Sequence, residues 1–246
     1  MILSKTAIVT GAGKGIGRKI AELLAMDGYN VLINYYHSKN EAEELYESLI
    51  SKGYSVYLYK ADITDLEQVN AMVQFCVDKF KNIDLLINNA GISQSILFTD
   101  ITQGDWEKMI STNLSSVFYC TQGVVKHMLS RKQGKIINIS SVWGIVGAAC
   151  EVHYSTVKAG IIGFTKALAK ELGPSNIQVN CIAPGVVDTD MLKGFSLDEI
   201  QMLKDSTPIG RIGTVDDIAQ SVLFLASDKS NFFTGQVISP NGGFVI

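Results

Sequence analysis

The chain has 246 residues, 47% hydrophobic and 18% charged, with 22 Gly and only 4 Pro. This balance excludes a disordered, collagen-like or disulfide-scaffolded protein, and the length suits a single α/β domain over residues 1–246. Twenty-one basic and 24 acidic side chains leave a net charge of −3, so no broad electrostatic grip on nucleic acid is expected.

Short apolar runs alternate with longer helical patterns. Ala7-Ile8-Val9 reads as a first strand, and Ile16 to Met26 as a first helix. Val31-Leu32-Ile33 is a second strand, followed by a helix over Glu41 to Ile50 with Leu45, Leu49 and Ile50 at helical spacing. Tyr54 to Tyr59 alternates as a strand, and Leu66 to Phe80 is helical. Asp84 to Asn88 is a fourth strand. Trp106 to Leu129 is a long helical region expected to bend or break near Asn113. Ile136 to Ile139 is a fifth strand, and Val157 to Leu172 a helix that Pro174 stops. Ile177 to Ile182, a helix over Val215 to Ala226 and a short strand at Gln236-Val237-Ile238 complete the pattern.

Fully apolar strands separated by helices predict a parallel sheet covered on both faces, a doubly wound Rossmann-type domain. Ligands of such sheets sit beyond the carboxyl ends of the strands, so chemistry is sought just after each one.

The four cysteines (Cys76, Cys120, Cys150, Cys181) form no CxxC pair, and the three histidines (His37, His127, His153) show no zinc spacing; no metal is expected. Isolated cysteines fit a reducing compartment. Met1-Ile2-Leu3-Ser4-Lys5 meets charge too early for a signal peptide, and no apolar run approaches the ~20 residues of a membrane span. A cytoplasmic protein that does not enter membranes is expected.

After the first strand comes Thr10-Gly11-Ala12-Gly13-Lys14-Gly15-Ile16-Gly17. Glycines let a backbone approach a pyrophosphate, and the helix that follows offers free N–H groups. The spacing is Gly-x-x-x-Gly-x-Gly, which is neither G-x-G-x-x-G nor a phosphate loop ending in Lys-Ser/Thr. No acid ends the second strand (Ile33-Asn34-Tyr35-Tyr36), where a carboxylate would bond the ribose of NAD and repel a 2′-phosphate. Lys14, inside the loop, is placed to reach such a phosphate. NADPH is therefore expected over NADH, with NAD still possible. The expected cofactor contacts also include Asn34, Asp62 and Ile63 after the third strand, Asp62 accepting from the adenine amino group, and Asn89-Ala90-Gly91 after the fourth.

Tyr154 and Lys158 stand four residues apart on one helix face. A free phenol, with pKa ~10, is a poor acid–base group near neutrality, and a neighbouring ammonium is expected to lower it. That pair suits proton exchange with an alcohol oxygen while hydride moves on a nicotinamide. Tyr35 and Lys39 share the spacing but lie at the exit of the second strand. Ser141, after the fifth strand, is placed to bond a substrate carbonyl. Asn113 is awkward inside a helix, and a kink there would free a carbonyl to hold a water that relays protons from Lys158.

These motifs resemble the short-chain dehydrogenase/reductase family over essentially the whole length: the Thr10–Gly17 loop, Asn88-Asn89-Ala90-Gly91, Asn113, Ser141, Tyr154-x-x-x-Lys158 and Pro184-Gly185. The resemblance implies a catalytic tetrad of Asn113, Ser141, Tyr154 and Lys158. It implies that Pro184, Gly185, Val187 and Thr189 line the nicotinamide amide, with Tyr154 and Lys158 also touching the cofactor. A mobile substrate lid over 191–208 is implied too. So is a homotetramer paired through helices near residues 112–131 and 155–172 and the C-terminal strand.

By stretch, Thr112–Phe118, Lys158–Phe164, Phe224–Asp228 and Asn241-Gly242-Gly243 are similar to bacterial 3-oxoacyl-[acyl-carrier-protein] reductases. This implies reduction of a β-keto thioester carried on acyl carrier protein. Two departures stand out. Ala149-Cys150-Glu151-Val152-His153 puts a carboxylate where those reductases have a small neutral stretch, so Glu151 is a candidate substrate contact suited to an ammonium. Pro174-Ser175-Asn176 lacks their basic docking residue, although Arg131, Lys132 and Lys135 offer a substitute patch. Residues 149–153 resemble reductases that finish a 5-aminopentanone modification on a lysine of elongation factor P, which is the runner-up. Sugar-alcohol or steroid dehydrogenases come next. A non-catalytic NADPH-binding subunit is the alternative of another class, and the intact tetrad argues against it.

Overall fold

In a computed structural model that describes residues 4–246, all seven strands lie in one parallel sheet. Met1, Ile2 and Leu3, part of the segment weighed above as a signal peptide, lie outside the described residues. The strands are β1 (Thr6–Val9), β2 (Asn30–Tyr35), β3 (Val56–Lys60), β4 (Leu85–Asn88), β5 (Gly134–Ile139), β6 (Ile177–Ile182) and β7 (Val237–Ile238), in the order β3-β2-β1-β4-β5-β6-β7. The chain builds outward from β1 to β3, then crosses back to place β4 on the other side of β1. That reversal opens the crevice in which a ligand of such a sheet binds.

The helices divide between the two faces because successive strand residues point to opposite sides. Ala7 and Val9 of β1 pack with Ile20 and Leu24 of α1 (Gly15–Met26), with Leu45 and Leu49 of α2 (Lys39–Ser51), and with the last long helix. Ile8 points the other way, toward α3 (Leu66–Phe80) and two further long helices. Ile8 is 0% exposed, and truncating such a side chain to Ala costs about 2–5 kcal/mol.

The long helical region expected to break near Asn113 does so. It consists of α4 (Gln103–Ile110), one π turn over Ser111–Ser115, and α5 (Ser116–Arg131). The π turn, closed by Ser116 N–H donating to the Ser111 carbonyl, holds one residue more than an α turn, and Asn113 sits at its centre. A short α6 (Trp143–Val146) precedes α7 (Val152–Leu172). Then come α8 (Leu197–Asp205) and α9 (Val215–Ala226). The helix carrying Tyr154 thus starts five residues before its expected start at Val157, so Tyr154 lies in its first turn.

Buried amides tie the strand ends under the crevice. Asn88 Nδ2 donates to Asn138 Oδ1 (2.9 Å) and to Thr121 Oγ1 (3.0 Å). Asn138 Nδ2 in turn donates to Thr165 Oγ1 (2.9 Å). The chain links β4, β5, α5 and α7. Among the described residues no helix is long and apolar enough to cross a membrane, and no metal-holding cluster of His, Cys, Asp or Glu is present.

Candidate active site

The glycine loop turns where β1 ends. Gly11 (φ +61°) lies so close to the β4 exit that a β-carbon on it would stand 2.8 Å from Ala90 Cα. Asn89 fastens the other side: its Nδ2 donates to the Thr10 carbonyl (2.9 Å), and Thr10 Oγ1 accepts from Asn89 N–H (3.0 Å). The helix that follows begins at Gly15, its N-cap Lys14 making no side-chain cap and its first turn holding no acid. By contrast α3, α4, α8 and α9 are capped by Asp65, Thr102, Ser196 and Thr214. The first amides of α1 are thus left for an external anion, and the loop fits the pyrophosphate of a dinucleotide.

Two expected cofactor residues turn their side chains inward. Asn34 is 2% exposed; its Oδ1 accepts from Gly11 N–H (3.2 Å) and its Nδ2 donates to the Ala61 carbonyl (3.2 Å). Its amide shapes the loop, with both polar atoms engaged by backbone. Ile63 is buried in the core packed on α3. Asp62 does not cap that helix; its Oδ1 closes a turn with Thr64 N–H (2.9 Å) and Thr64 Oγ1 (2.7 Å). Lys14 Nζ is paired with Asp190 Oδ2 at 3.0 Å, and Lys193 Nζ holds the other oxygen at 2.6 Å. Lys14 is exposed, so this pair is weak and exchangeable.

The β6 exit faces the same crevice. The Pro184 carbonyl accepts from Val142 N–H (2.9 Å), and a β-carbon on Gly185 would stand 2.8 Å from Asn241 Cα. Val187 bridges to Gly213, and Thr189 closes over Gly15, its Cγ2 3.8 Å from where a β-carbon would lie.

The structure brings Asn113, Ser141, Tyr154 and Lys158 together. A β-carbon on Gly91 would stand 2.5 Å from Asn113 Oδ1 and 3.5 Å from Lys158 Nζ, so both side chains converge on the β4 exit. Asn113 is 0% exposed; its Oδ1 accepts from Ile92 N–H (3.1 Å) and its Nδ2 donates to the Met109 carbonyl (3.2 Å). Lys158 Nζ donates to the Ile139 carbonyl (3.0 Å) and lies 5.5 Å from the centre of the Tyr154 ring. Ser141 Oγ accepts from Trp143 N–H (3.2 Å), which leaves its own proton free to donate.

The protonation balance differs from the expected one. Burial pushes the Tyr154 phenol up to about 12, against a lowering hydrogen bond from Ser141 and with the Glu151 charge adding to the rise. Burial also draws Lys158 down to about 8. The ammonium does not dominate the phenol because desolvation disfavours both charged forms. A phenol that keeps its proton is suited to donate it to a carbonyl being reduced.

Glu151 stands at the start of α7, one turn before Tyr154. Its Oε2 is buried without a hydrogen-bond partner, and burial raises the carboxyl to about 7. The substitute basic patch is largely spent. Arg131 is paired with Asp84 (2.7 Å), and Lys135 Nζ donates to the Leu225 and Ser227 carbonyls and to Ser230 Oγ. Lys132, exposed like Arg131, has no such side-chain partner among the described residues. His153 Nε2 meets Gln94 Oε1 at 3.1 Å, a contact that no spacing rule between residues 94 and 153 announces.

An uncapped glycine loop at the switch point, beside a buried Tyr–Lys pair with Ser and Asn, defines a nicotinamide-dependent oxidoreductase of CH–OH and C=O groups. The family model described as short chain dehydrogenase matches residues 5–200, and the chain belongs to that family. It is 43% identical over 243 residues to a 3-oxoacyl-[acyl-carrier-protein] reductase of Staphylococcus aureus, with 99% of each chain covered. It is 42% identical over 246 residues to the protein of that name from Chlamydia muridarum, covering 99% of this chain and 98% of the other.

Proposed function

We propose that the protein is an NADPH-dependent reductase that turns a 3-oxoacyl thioester, presented on acyl carrier protein, into the 3-hydroxyacyl form. The observation that carries the reaction type is the convergence of Tyr154, Ser141, Lys158 and Asn113 on the β4 exit. The near full-length relatives support the substrate class.

The uncapped amides of Gly15, Ile16 and Gly17 would hold the pyrophosphate, Lys14 the 2′-phosphate, and Asp62 the adenine. Asn89, Ala90 and Gly91 would face the ribose, and Pro184, Gly185, Val187 and Thr189 the nicotinamide amide. When bound, the cofactor supplies a hydride to the carbonyl carbon. Ser141 donates a hydrogen bond to the carbonyl oxygen and orients it. Tyr154 then gives that oxygen its proton, so the C=O bond becomes CH–OH and the phenol becomes a phenolate. Lys158 stabilises the phenolate and returns a proton to it, and a water held by a carbonyl that the π turn at Asn113 frees would resupply Lys158. The segment 191–208 would act as the lid. Phe118, exposed in a shallow apolar hollow with Leu114, Tyr119 and Phe164, supports pairing of copies through α5 and α7 into a homotetramer.

A second reading has its own observation. Glu151 Oε2 is a buried acceptor without a donor one turn from Tyr154, and an acyl thioester offers it none. A ketone carrying a primary ammonium does, as on the 5-aminopentanone-modified lysine of elongation factor P. The consumed Arg131 and Lys135 also weaken docking of an acidic carrier. The deciding experiment follows NADPH oxidation with a 3-oxoacyl-carrier thioester and with an aminoketone-modified protein. A kcat/KM above roughly 10⁴ M⁻¹s⁻¹ on the thioester supports the first reading. Turnover confined to the aminoketone, and lost in Glu151→Gln, replaces it by the second.

A further inference from the structure

Tyr154 lies in the first turn of α7, and a first turn frays unless something outside the helix holds it. Here the holder is the loop between β4 and α4. Ile96 N–H donates to the Cys150 carbonyl (2.8 Å), and Cys150 takes a left-handed conformation (φ +60°) to present it. Three residues on, His153 is 0% exposed and its Nε2 meets Gln94 Oε1 at 3.1 Å. Gln94 Nε2 donates to Asp105 Oδ1 at 3.1 Å. Asp105 is itself locked, because Thr102 and Asp105 form a capping box at the start of α4. The near end of the same loop is tied to Asn113 Oδ1 through Ile92 N–H (3.1 Å).

The direction of this chain follows from its ends. Asp105, whose carboxyl pKa is lowered by hydrogen bonds from Thr102 and Gln94, only accepts. Gln94 must therefore turn its NH₂ toward Asp105 and its oxygen toward His153. His153 must then carry a hydrogen on Nε2, while its Nδ1 is buried without a partner among the described residues. A side chain of the same size without an N–H at that position cannot complete the chain.

We propose that His153 is a positioning residue: through Gln94 and Asp105 it fixes the turn that carries Tyr154 against the loop that borders the reacting carbonyl. The inference rests on Tyr154 being the proton donor. His153 does not touch the reacting atoms; it sets where the phenol stands relative to Ser141 and Lys158. An error of about 1 Å in such a position costs up to ~100-fold in rate.

The test compares His153→Phe, His153→Gln, Gln94→Leu and the double variant His153→Phe/Gln94→Leu, with Tyr154→Phe as control. Turnover with a 3-oxoacyl thioester or an aminoketone is measured beside NADPH binding by fluorescence. His153→Phe and Gln94→Leu should each lower kcat by roughly 10-fold or more with NADPH affinity unchanged. The double variant should lose no more than either single one. His153→Gln, which returns an N–H at similar reach, should recover most of kcat. Full kcat in Gln94→Leu, or losses that multiply in the double variant, overturns the chain. Unaltered turnover in Tyr154→Phe overturns instead the assignment of the proton donor, and the two failures are read separately. If His153→Phe does not fold, Gln94→Leu, whose residue is only half-buried, still decides.

Discussion

The helices α7 and α8 are held in opposite ways. α7 runs 21 residues and buries eight of them, including Tyr154 and Lys158; α8 runs nine residues and buries none. What holds α8 is local: Ser196 and Glu199 form a capping box, while Leu197 and Met202 stay largely in solvent. Most helical stability in proteins comes from packing an apolar face. A helix so packed can carry an ammonium drawn down to about 8 by burial, because its neighbours fix it in place. A helix held by its own cap can leave and return at small cost, as a lid requires.

The contrast breaks most readily at the phenol. Tyr154→Phe should cut kcat/KM by roughly 10²–10⁴-fold, the usual worth of a positioned proton donor, while NADPH binding and melting temperature hold. Near-normal turnover would mean that α7 serves only as packing.

Next is the contact between the glycine loop and Asp190, which precedes the segment 191–208. Lys14→Glu should raise the KM for NADPH by about 10-fold or more and leave that for NADH nearly unchanged, since only the former carries the 2′-phosphate. The same variant sets a second carboxylate against Asp190, loosening the start of the segment 191–208 and sparing α7. Equal effects on both cofactors would detach Lys14 from the phosphate.

A smaller effect is expected at the start of α7. The Glu151 carboxyl is raised to about 7, so the folded state binds its proton more tightly than the unfolded chain does. Stability from this group is full below about 4.5 and is lost as the pH rises through about 7. Glu151→Gln should therefore melt with wild type at pH 4 and roughly 1–3 °C above it at pH 8, a modest shift because the group is half-exposed. A melt below wild type at pH 8 instead would mean that the carboxylate is stabilised in the folded state. The smallest expected change is Ser196→Ala: hydrogen exchange within α8 should quicken about 5-fold, matching a lost cap of ~1 kcal/mol, with the global melt unmoved. A lowered global melt would show that α8 is part of the core.

The same contrast explains what can be read in the sequence. The expected bounds of α3, β6 and α9 are those observed, because apolar periodicity coincides there with local signals: Asp65 caps α3, Thr214 caps α9, and Pro174 follows the end of α7. Periodicity places the start of α7 too late, since Tyr154, Ser155 and Thr156 carry no strong helical signal. That turn is helical because Tyr154 and Val157 pack with Met109. α8 escapes a reading by periodicity although Ser196 and Glu199 announce it, because its exposed apolar side chains do not mark a buried face. The glycine loop, Tyr154 and Lys158 are legible by spacing joined to their place after particular strands, since Tyr35 and Lys39 share the Tyr–Lys spacing. Asn34 is not, since only the strand register turns its amide onto Gly11 and Ala61. Nor is the chain from Asp105 through Gln94 to His153, whose members meet only after the loop folds over α7.

The π turn at Asn113 sets the phase of the region around it. With one residue more than a regular turn, it rotates α5 by about 100° relative to an unbroken continuation of α4. Cys120, Val124 and Met128 face the sheet only because of that rotation. Removing a residue between 111 and 115 would make the helix more regular, yet turn its apolar stripe toward water and carry Asn113 away from Ile92. Local regularity and the working site are thus in opposition here. Natural variation in this stretch is expected to exchange one side chain for another and to leave the number of residues unchanged.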